Sequence, residues 1–299
     1  MTYASGGLIQ ATDFNTRVES VNQLWGTGSG NYGYGQSTTV ATNSSGSVVP
    51  ASDWATLIAR MSTMQQHQFN NTTGIPAQPT SGSIITYLAA VDTAITSLQN
   101  NRFTTYTTVS SGVVGLVTNS TTWHTSSVKT WTIAFANDNT ARYFFNAGGS
   151  ISLYSDGNTM SPATWNSFAN TGYTYSQLYA TSFLHAGTVG TYTRSVYNSG
   201  QGFYNLTSTP ATFLTLLETG TGNANYNNNS ISVAWSYNGT GTLTATLTFL
   251  DNDANAFGYN VTGSTYGRFN LNYPENTYLT SPAATSSPPT ITNTVNSQS

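Results

Sequence analysis

Few side chains in this 299-residue sequence can do chemistry: ten acids, seven cations, three histidines and no cysteine. His67, His124 and His185 carry zinc-ligand nitrogens, but no two are spaced i, i+4, and they read as single surface or helix-end histidines. Asp251-Asn252-Asp253-Ala254-Asn255 puts oxygen ligands at alternate positions, like the start of a calcium loop. It lacks the later glycine and glutamate of such a loop, and Phe249-Leu250 and Phe257 around it favour a hairpin. Calcium on Asp251, Asp253 and Asn255 stays open. Glycoside hydrolysis needs two facing carboxylates. Asp138 and Asp156 could approach one another, though both read as solvated turn residues. No G-x-S-x-G elbow and no Ser/His/Asp arrangement stands out. Gly26-Thr27-Gly28-Ser29-Gly30-Asn31-Tyr32-Gly33-Tyr34-Gly35-Gln36 is glycine-rich, but a helical pattern precedes it and no lysine follows. It is expected to be a crossover that lets two tyrosines pack closely. Trp123, Tyr173, Tyr175, Tyr179 and Tyr192 could stack on sugars, but in a chain with 19 tyrosines most are expected in the core or at subunit contacts. The expectation is a protein without catalytic residues, cofactor or metal.

One stretch concentrates unusual residues: Ala141-Arg142-Tyr143-Phe144-Phe145-Asn146-Ala147-Gly148-Gly149-Ser150-Ile151-Ser152-Leu153. It reads as a strand, a tight turn over Asn146, Gly148 and Gly149, and a second strand. Phe144 and Phe145 would then pack on opposite faces. Arg142, a rare cation beside three aromatics, should meet Asp138, another acid or a stacked ring.

Only 6% of residues are charged, against about 25% in ordinary soluble proteins. Aromatics at 13% are enough for a sizeable core. Lys129 is the single lysine and the net charge is −3, which argues strongly against binding to a phosphate backbone, since that needs clustered Lys and Arg. A surface of Thr, Asn and Tyr with so little charge associates readily. Neither a basic leader nor an 18-residue apolar span is visible, so membrane insertion is not expected. Assembly in a host cytoplasm and release by lysis would suit such a chain. The sequons at Asn43, Asn70 and Asn71 carry no weight without a secretory route.

The first hundred residues contain a repeat. Ile9-Gln10-Ala11-Thr12-Asp13-Phe14 returns as Val49-Pro50-Ala51-Ser52-Asp53-Trp54. Thr12 and Ser52 are expected as helix caps, with Asp13 and Asp53 in the first turn. Phe14, Val18, Val21 and Trp25 mark one amphipathic helix; Trp54, Leu57, Ile58, Met61 and Met64 mark another. The two should pair with Phe14 and Trp54 in equivalent places. A third helix over Ile84–Arg102 has near-heptad apolar spacing, which suits packing on its own domain or, alternatively, a three-stranded oligomer seam. From Thr104 the period becomes two. Expected strands include Thr105–Val109, Val128–Ala136, Arg142–Phe145, Ile151–Tyr154, Val189–Val196, Phe203–Leu206, Phe213–Glu218, Ser230–Tyr237, Thr242–Leu250, Ala256–Val261 and Arg268–Asn272. Asn238-Gly239 signals a hairpin. Ser161-Pro162 opens a helical insertion, with a further short helix over Tyr175–Leu184. The fold class is therefore α+β: a helical region over 1–103, an antiparallel β-sandwich with a short helical insertion over 104–280, and an extended arm over 281–299 laid on a neighbour.

The N-terminal Gly-Leu-Ile-x-Ala-Thr-Asp-Phe-Asn run, Leu24-Trp25-Gly26-Thr27-Gly28, Gly33-Tyr34-Gly35-Gln36, the helix from Ala51 and Ala141–Gly149 resemble structural proteins of tailed bacteriophages, those of cyanophages and marine phages above all. The resemblance covers most of residues 1–155, loosely the later β region, and is most specific at Arg-Tyr-Phe-Phe-Asn-Ala-Gly-Gly. Look-alike proteins often continue there with a charged residue, whereas Ser150-Ile151 follows here. The resemblance implies a tail- or fibre-associated virion component that assembles with copies of itself and other virion proteins. A receptor- or glycan-binding module at a fibre tip, or a capsid decoration protein, is the alternative.

Overall fold

The computed structural model describes residues 10–80, 88–161, 165, 167–188, 192–219, 229–252, 260–274, 277–279 and 289–299, with 156–159 and 161 as backbone only. The chain forms two compact units: Met1–Thr108 with Arg142–Gly148 and Pro274–Ser286, and Val109–Ala141 with Gly149–Tyr273 and Ser287–Ser299.

In the first unit, α1 (Ala11–Trp25) and α2 (Ala51–Phe69) are the two copies of the repeat. Their caps fall earlier than Thr12 and Ser52. Gln10 caps α1, its backbone N–H donating to the Asp13 carboxylate at 3.1 Å, and Pro50 precedes α2 with extended angles. Helix α2 stops at Asn70, which takes a left-handed φ of 55°. The Phe14 and Trp54 rings meet edge to face at 5.0 Å. Helix α3 (Leu88–Asn100) turns Leu88, Val91, Ala94, Ile95 and Leu98 into the same core. The face that suited an oligomer seam is thus buried within its own unit. Ile84 and Tyr87 lie outside the described residues.

The Arg142 stretch is a helix, not a strand and turn. Helix α4 covers Asp138–Asn146. The Asn137 side chain accepts the Thr140 N–H at 2.9 Å, so Asn137 caps the start. Gly148 closes the end at φ 89°, its N–H reaching the Phe145 carbonyl at 3.1 Å. Arg142 to Asn146 are all buried, which a helix buried all round allows and a half-buried strand does not. The aromatic run suggested a strand by propensity; caps and burial override it.

The second unit is a sandwich of two six-stranded antiparallel sheets. The first sheet runs β1 (Thr108–Ser110), β11 (Thr262–Pro274), β4 (Ser150–Ser161), β5 (Tyr175–Leu178), β6 (Phe183–Ala186), with β2 (Val114–Asn119) also paired to β11. The second runs β12 (Thr290–Gln298), β3 (Ser126–Ala134), β10 (Thr242–Leu250), β9 (Ser230–Tyr237), β8 (Ala211–Glu218), β7 (Tyr192–Tyr197). Leu243, Ala245, Leu247 and Phe249 of β10 point inward, and the threonines between them point out. Trp131 and Trp235 of the second sheet pack edge-on to Phe269 of the first at 5.1 and 6.4 Å.

Three local expectations change here. Tyr175–Leu184 is the hairpin β5–β6, because Ser176, Leu178, Phe183 and His185 are buried in alternation and the Tyr179 N–H closes on Ser182 O. Phe203–Asn205 is a 3-10 turn rather than a strand. The end of the chain is not an arm on a neighbour: Thr290–Gln298 pairs antiparallel with β3 as an edge strand of its own sandwich. The helical insertion is represented by a π turn at Phe168–Gly172; Pro162 lies outside the described residues.

Candidate functional site

Arg142 was expected to meet an acid or a ring. Its guanidinium donates to the backbone carbonyls of Thr27 at 2.9 Å, Tyr32 at 3.0 Å and Gly30 at 3.3 Å, and lies 5.3 Å from the centre of the Tyr143 ring. One helical turn on, the Asn146 amide donates to Gly33 O at 2.8 Å. The loop can present its carbonyls because Gly28, Gly30, Gly33 and Gly35 take positive φ. A Cβ on Gly33 would stand 2.4 Å from Thr27 O, and one on Gly35 2.4 Å from the Tyr143 ring. A loop that turns carbonyls inward receives a cation and repels a phosphate.

The aromatic pair differs from expectation too. Phe144 and Phe145 are both buried, with rings edge to face at 5.1 Å, rather than on opposite faces of a strand. Gly148 is tightly placed: a Cβ there would fall 2.8 Å from the Thr105 side chain and 3.0 Å from its backbone nitrogen. Gly149 is buried. The Ala147 carbonyl lies 3.0 Å from His67 Nε2, and this histidine is fully buried. Asp138 accepts a short hydrogen bond from the Tyr237 hydroxyl.

Other ionisable groups also serve the fold. Arg17 and Asp92 form a 2.6 Å ion pair beside an open cleft of about 360 Å³ between α1 and α3. Lys129, wholly buried between the sheets, donates to Thr265 Oγ1 at 2.5 Å and Ser127 Oγ at 3.1 Å. Burial pulls its ammonium down to about 8. His185 accepts from Arg194 Nε at 3.2 Å; burial first, then the Arg194 charge, lowers it to about 4. Burial, and then the nearby Asp251 charge, raises the Glu218 carboxyl to about 7. Among the described residues no group of three or more His, Asp or Glu side chains could hold a metal. Asp253 and Asn255 of the calcium-like run lie outside those residues.

Of the five stacking candidates, three are core. Trp123 packs on Trp165 at 5.1 Å, Tyr192 stacks on Phe168 at 4.5 Å, and Tyr173 donates to Leu153 O at 3.0 Å. Tyr175 and Tyr179 remain half-buried. Tyr175 faces out from the first sheet in a row with Tyr154 and Arg268, set by the pairings Arg268–Tyr154 and Tyr154–Tyr175. The Tyr154 and Tyr175 rings lie 5.2 Å apart, and the Arg268 guanidinium sits 4.8 Å over Tyr154. The next row holds Asn270, Ser152 and Gln177, followed by Asn272 and Ser150. Here the amides of Gln177 and Asn272 both reach Ser150 Oγ, at 2.7 and 3.3 Å. Tyr154, Gln177, Arg268, Asn270 and Asn272 were not singled out from sequence, although Tyr266-x-Arg268-x-Asn270-x-Asn272 is a period-two polar face. A search of protein-family models, curated proteins and solved structures finds no match to this chain.

Proposed function

We propose that this chain is a non-enzymatic structural protein of a tailed-phage particle, tail- or fibre-associated, that works by multivalent assembly in the virion. The observation that carries the reading is the outward face of the second sheet. Across β3, β10 and β9 it aligns Thr132 with Thr244 and Ser236, Thr130 with Thr246 and Ala234, and Val128 with Thr248 and Ser232. These three rows hold hydroxyls and small apolar groups and no charge, so nothing on them opposes the approach of another subunit. The resemblance of residues 1–155 to phage structural proteins supports the same reading. So does the use of Arg142, Lys129 and Asp138 to tie backbone and core together. Sedimentation of the full chain tests it: self-association is expected, and Thr130→Lys with Thr244→Lys should disperse it. A wild-type chain that stays monomeric at high concentration argues against this mode of assembly.

A second reading, a glycan-binding module at a fibre tip, is favoured by the Tyr154–Tyr175–Arg268 row. Aromatic faces flanked by amides suit the apolar faces and hydroxyls of a neutral sugar. A glycan-array signal abolished by Tyr175→Ala would move weight to it.

A further inference from the structure

The β9–β10 hairpin turns at Asn238-Gly239, and its tip is arranged for a reaction within the chain. Asn238, Gly239 and Thr240 are all exposed. Asn238 Oδ1 accepts two backbone N–H bonds, from Thr240 at 2.9 Å and Thr242 at 3.0 Å. A side-chain oxygen that reaches the N–H two residues on folds its Cγ back over the intervening peptide, here the one carrying the Gly239 nitrogen. Among the described residues no hydrogen bond holds Asn238 Nδ2 or the Gly239 N–H. Gly239 takes a φ of 76°, and a Cβ there would meet nothing within 4 Å, so the approach to this peptide is open.

We propose that Asn238-Gly239 is a self-modification site, where the chain converts its own side-chain amide to a carboxylate through a cyclic imide. The Gly239 nitrogen gives its proton to solvent base and attacks Asn238 Cγ, forming a carbon–nitrogen bond. The negative charge that develops on Oδ1 falls between the two backbone N–H donors already aimed at it. The Cγ–Nδ2 bond then breaks, and Nδ2 leaves as ammonia with a proton taken from water. One water molecule opens the imide at either of its carbonyls, giving aspartate at one and isoaspartate at the other. The net exchange is amide and water for carboxylate and ammonium.

Register gives this change a consequence. Leu243 pairs with Tyr237 and Thr242 with Ala134, and the Asn238 N–H donates to Thr242 O at 3.0 Å. Asn238 therefore ends the same hydroxyl-lined face of the second sheet that carries the Thr132–Thr244–Ser236 row. A new carboxylate there charges the rim of an uncharged surface and opposes its association with another copy. This consequence rests on the assembly reading; the modification itself does not.

The test incubates the full-length folded chain at neutral and at mildly alkaline pH, with a urea-unfolded sample beside it. The peptide that contains residue 238 is followed by chromatography and mass spectrometry. The expected result is conversion that accumulates in the folded chain, runs faster at the higher pH and yields both aspartate and isoaspartate. An amide that stays intact in the folded chain while the urea sample converts would overturn the proposal, as would aspartate as the sole product. Sedimentation then compares fresh chain, aged chain and Asn238→Asp. The aged and Asn238→Asp samples should associate less than the fresh chain, and equal association in all three would overturn the consequence for assembly. A fresh chain that is monomeric removes the assembly reading and this consequence together, while the mass spectrum still decides the modification.

Discussion

Arg142 shows how a scarce charge is used in this chain. Three carbonyls converge on one guanidinium, which a lysine ammonium at the same place could not span. Arg142→Lys should therefore cost about 2–3 kcal/mol, read as a lower urea midpoint with an unchanged slope. Lys129 gives a pH signature. Its folded pKa of about 8 lies below the ordinary 10.5, so between these values the unfolded chain binds a proton that the folded chain does not. Stability from this group is lowest below pH 8 and rises as pH climbs from 8 to 10.5, by about 3 kcal/mol in total. Lys129→Met should abolish that rise and raise stability at pH 7; an unchanged pH profile would contradict the assignment. Arg142 stood out in the sequence by its rarity. Its partners were not legible there, because backbone carbonyls leave no mark in side-chain identity. The burial of Lys129 was legible in principle from its alternation with Trp131 and Ile133, but a lone lysine reads by default as surface.

Among the elements, the helical pair was the most legible. The Phe14 and Trp54 positions follow from a repeated pattern, and helical periodicity survives translation into structure. Phe14→Ala or Trp54→Ala should each cost about 3–5 kcal/mol, measured by denaturant unfolding. In the particle reading, loss of the pair should also block incorporation, and normal incorporation of both variants would sink that link. Helix α4 was misread because Tyr143, Phe144 and Phe145 have strand propensity while the deciding features were its caps at Asn137 and Gly148. Gly148 still matters, now as a helix stop: Gly148→Val combines a positive φ with a clash against Thr105 and should abolish folding. A folded Gly148→Val chain would show that this stop is dispensable. The hairpin β5–β6 and strand β12 were missed for a related reason. Short polar strands with few large apolar residues are settled by their pairing partners, which a local reading does not include.

At the level of the whole molecule, the α+β class and the antiparallel sandwich were legible, since alternation over β9 and β10 and the glycine- and asparagine-rich turns leave few other solutions. The division of the chain into units was less so. Arg142–Gly148 groups with the N-terminal helices by long-range contacts that no local pattern records. The polar faces of both sheets were hidden similarly, because a row across strands exists only once the registers are set. Those faces bear on the functional proposal: one carries hydroxyls without charge, the other an aromatic and amide row. The most direct measurement is electron cryo-microscopy of intact particles carrying this chain. The account predicts density for many symmetry-related copies on the tail or fibres, with the Thr130–Thr246 row against an adjoining subunit. Density that places the chain away from the tail and fibres, or as isolated copies with the Thr130–Thr246 row facing solvent, would contradict it.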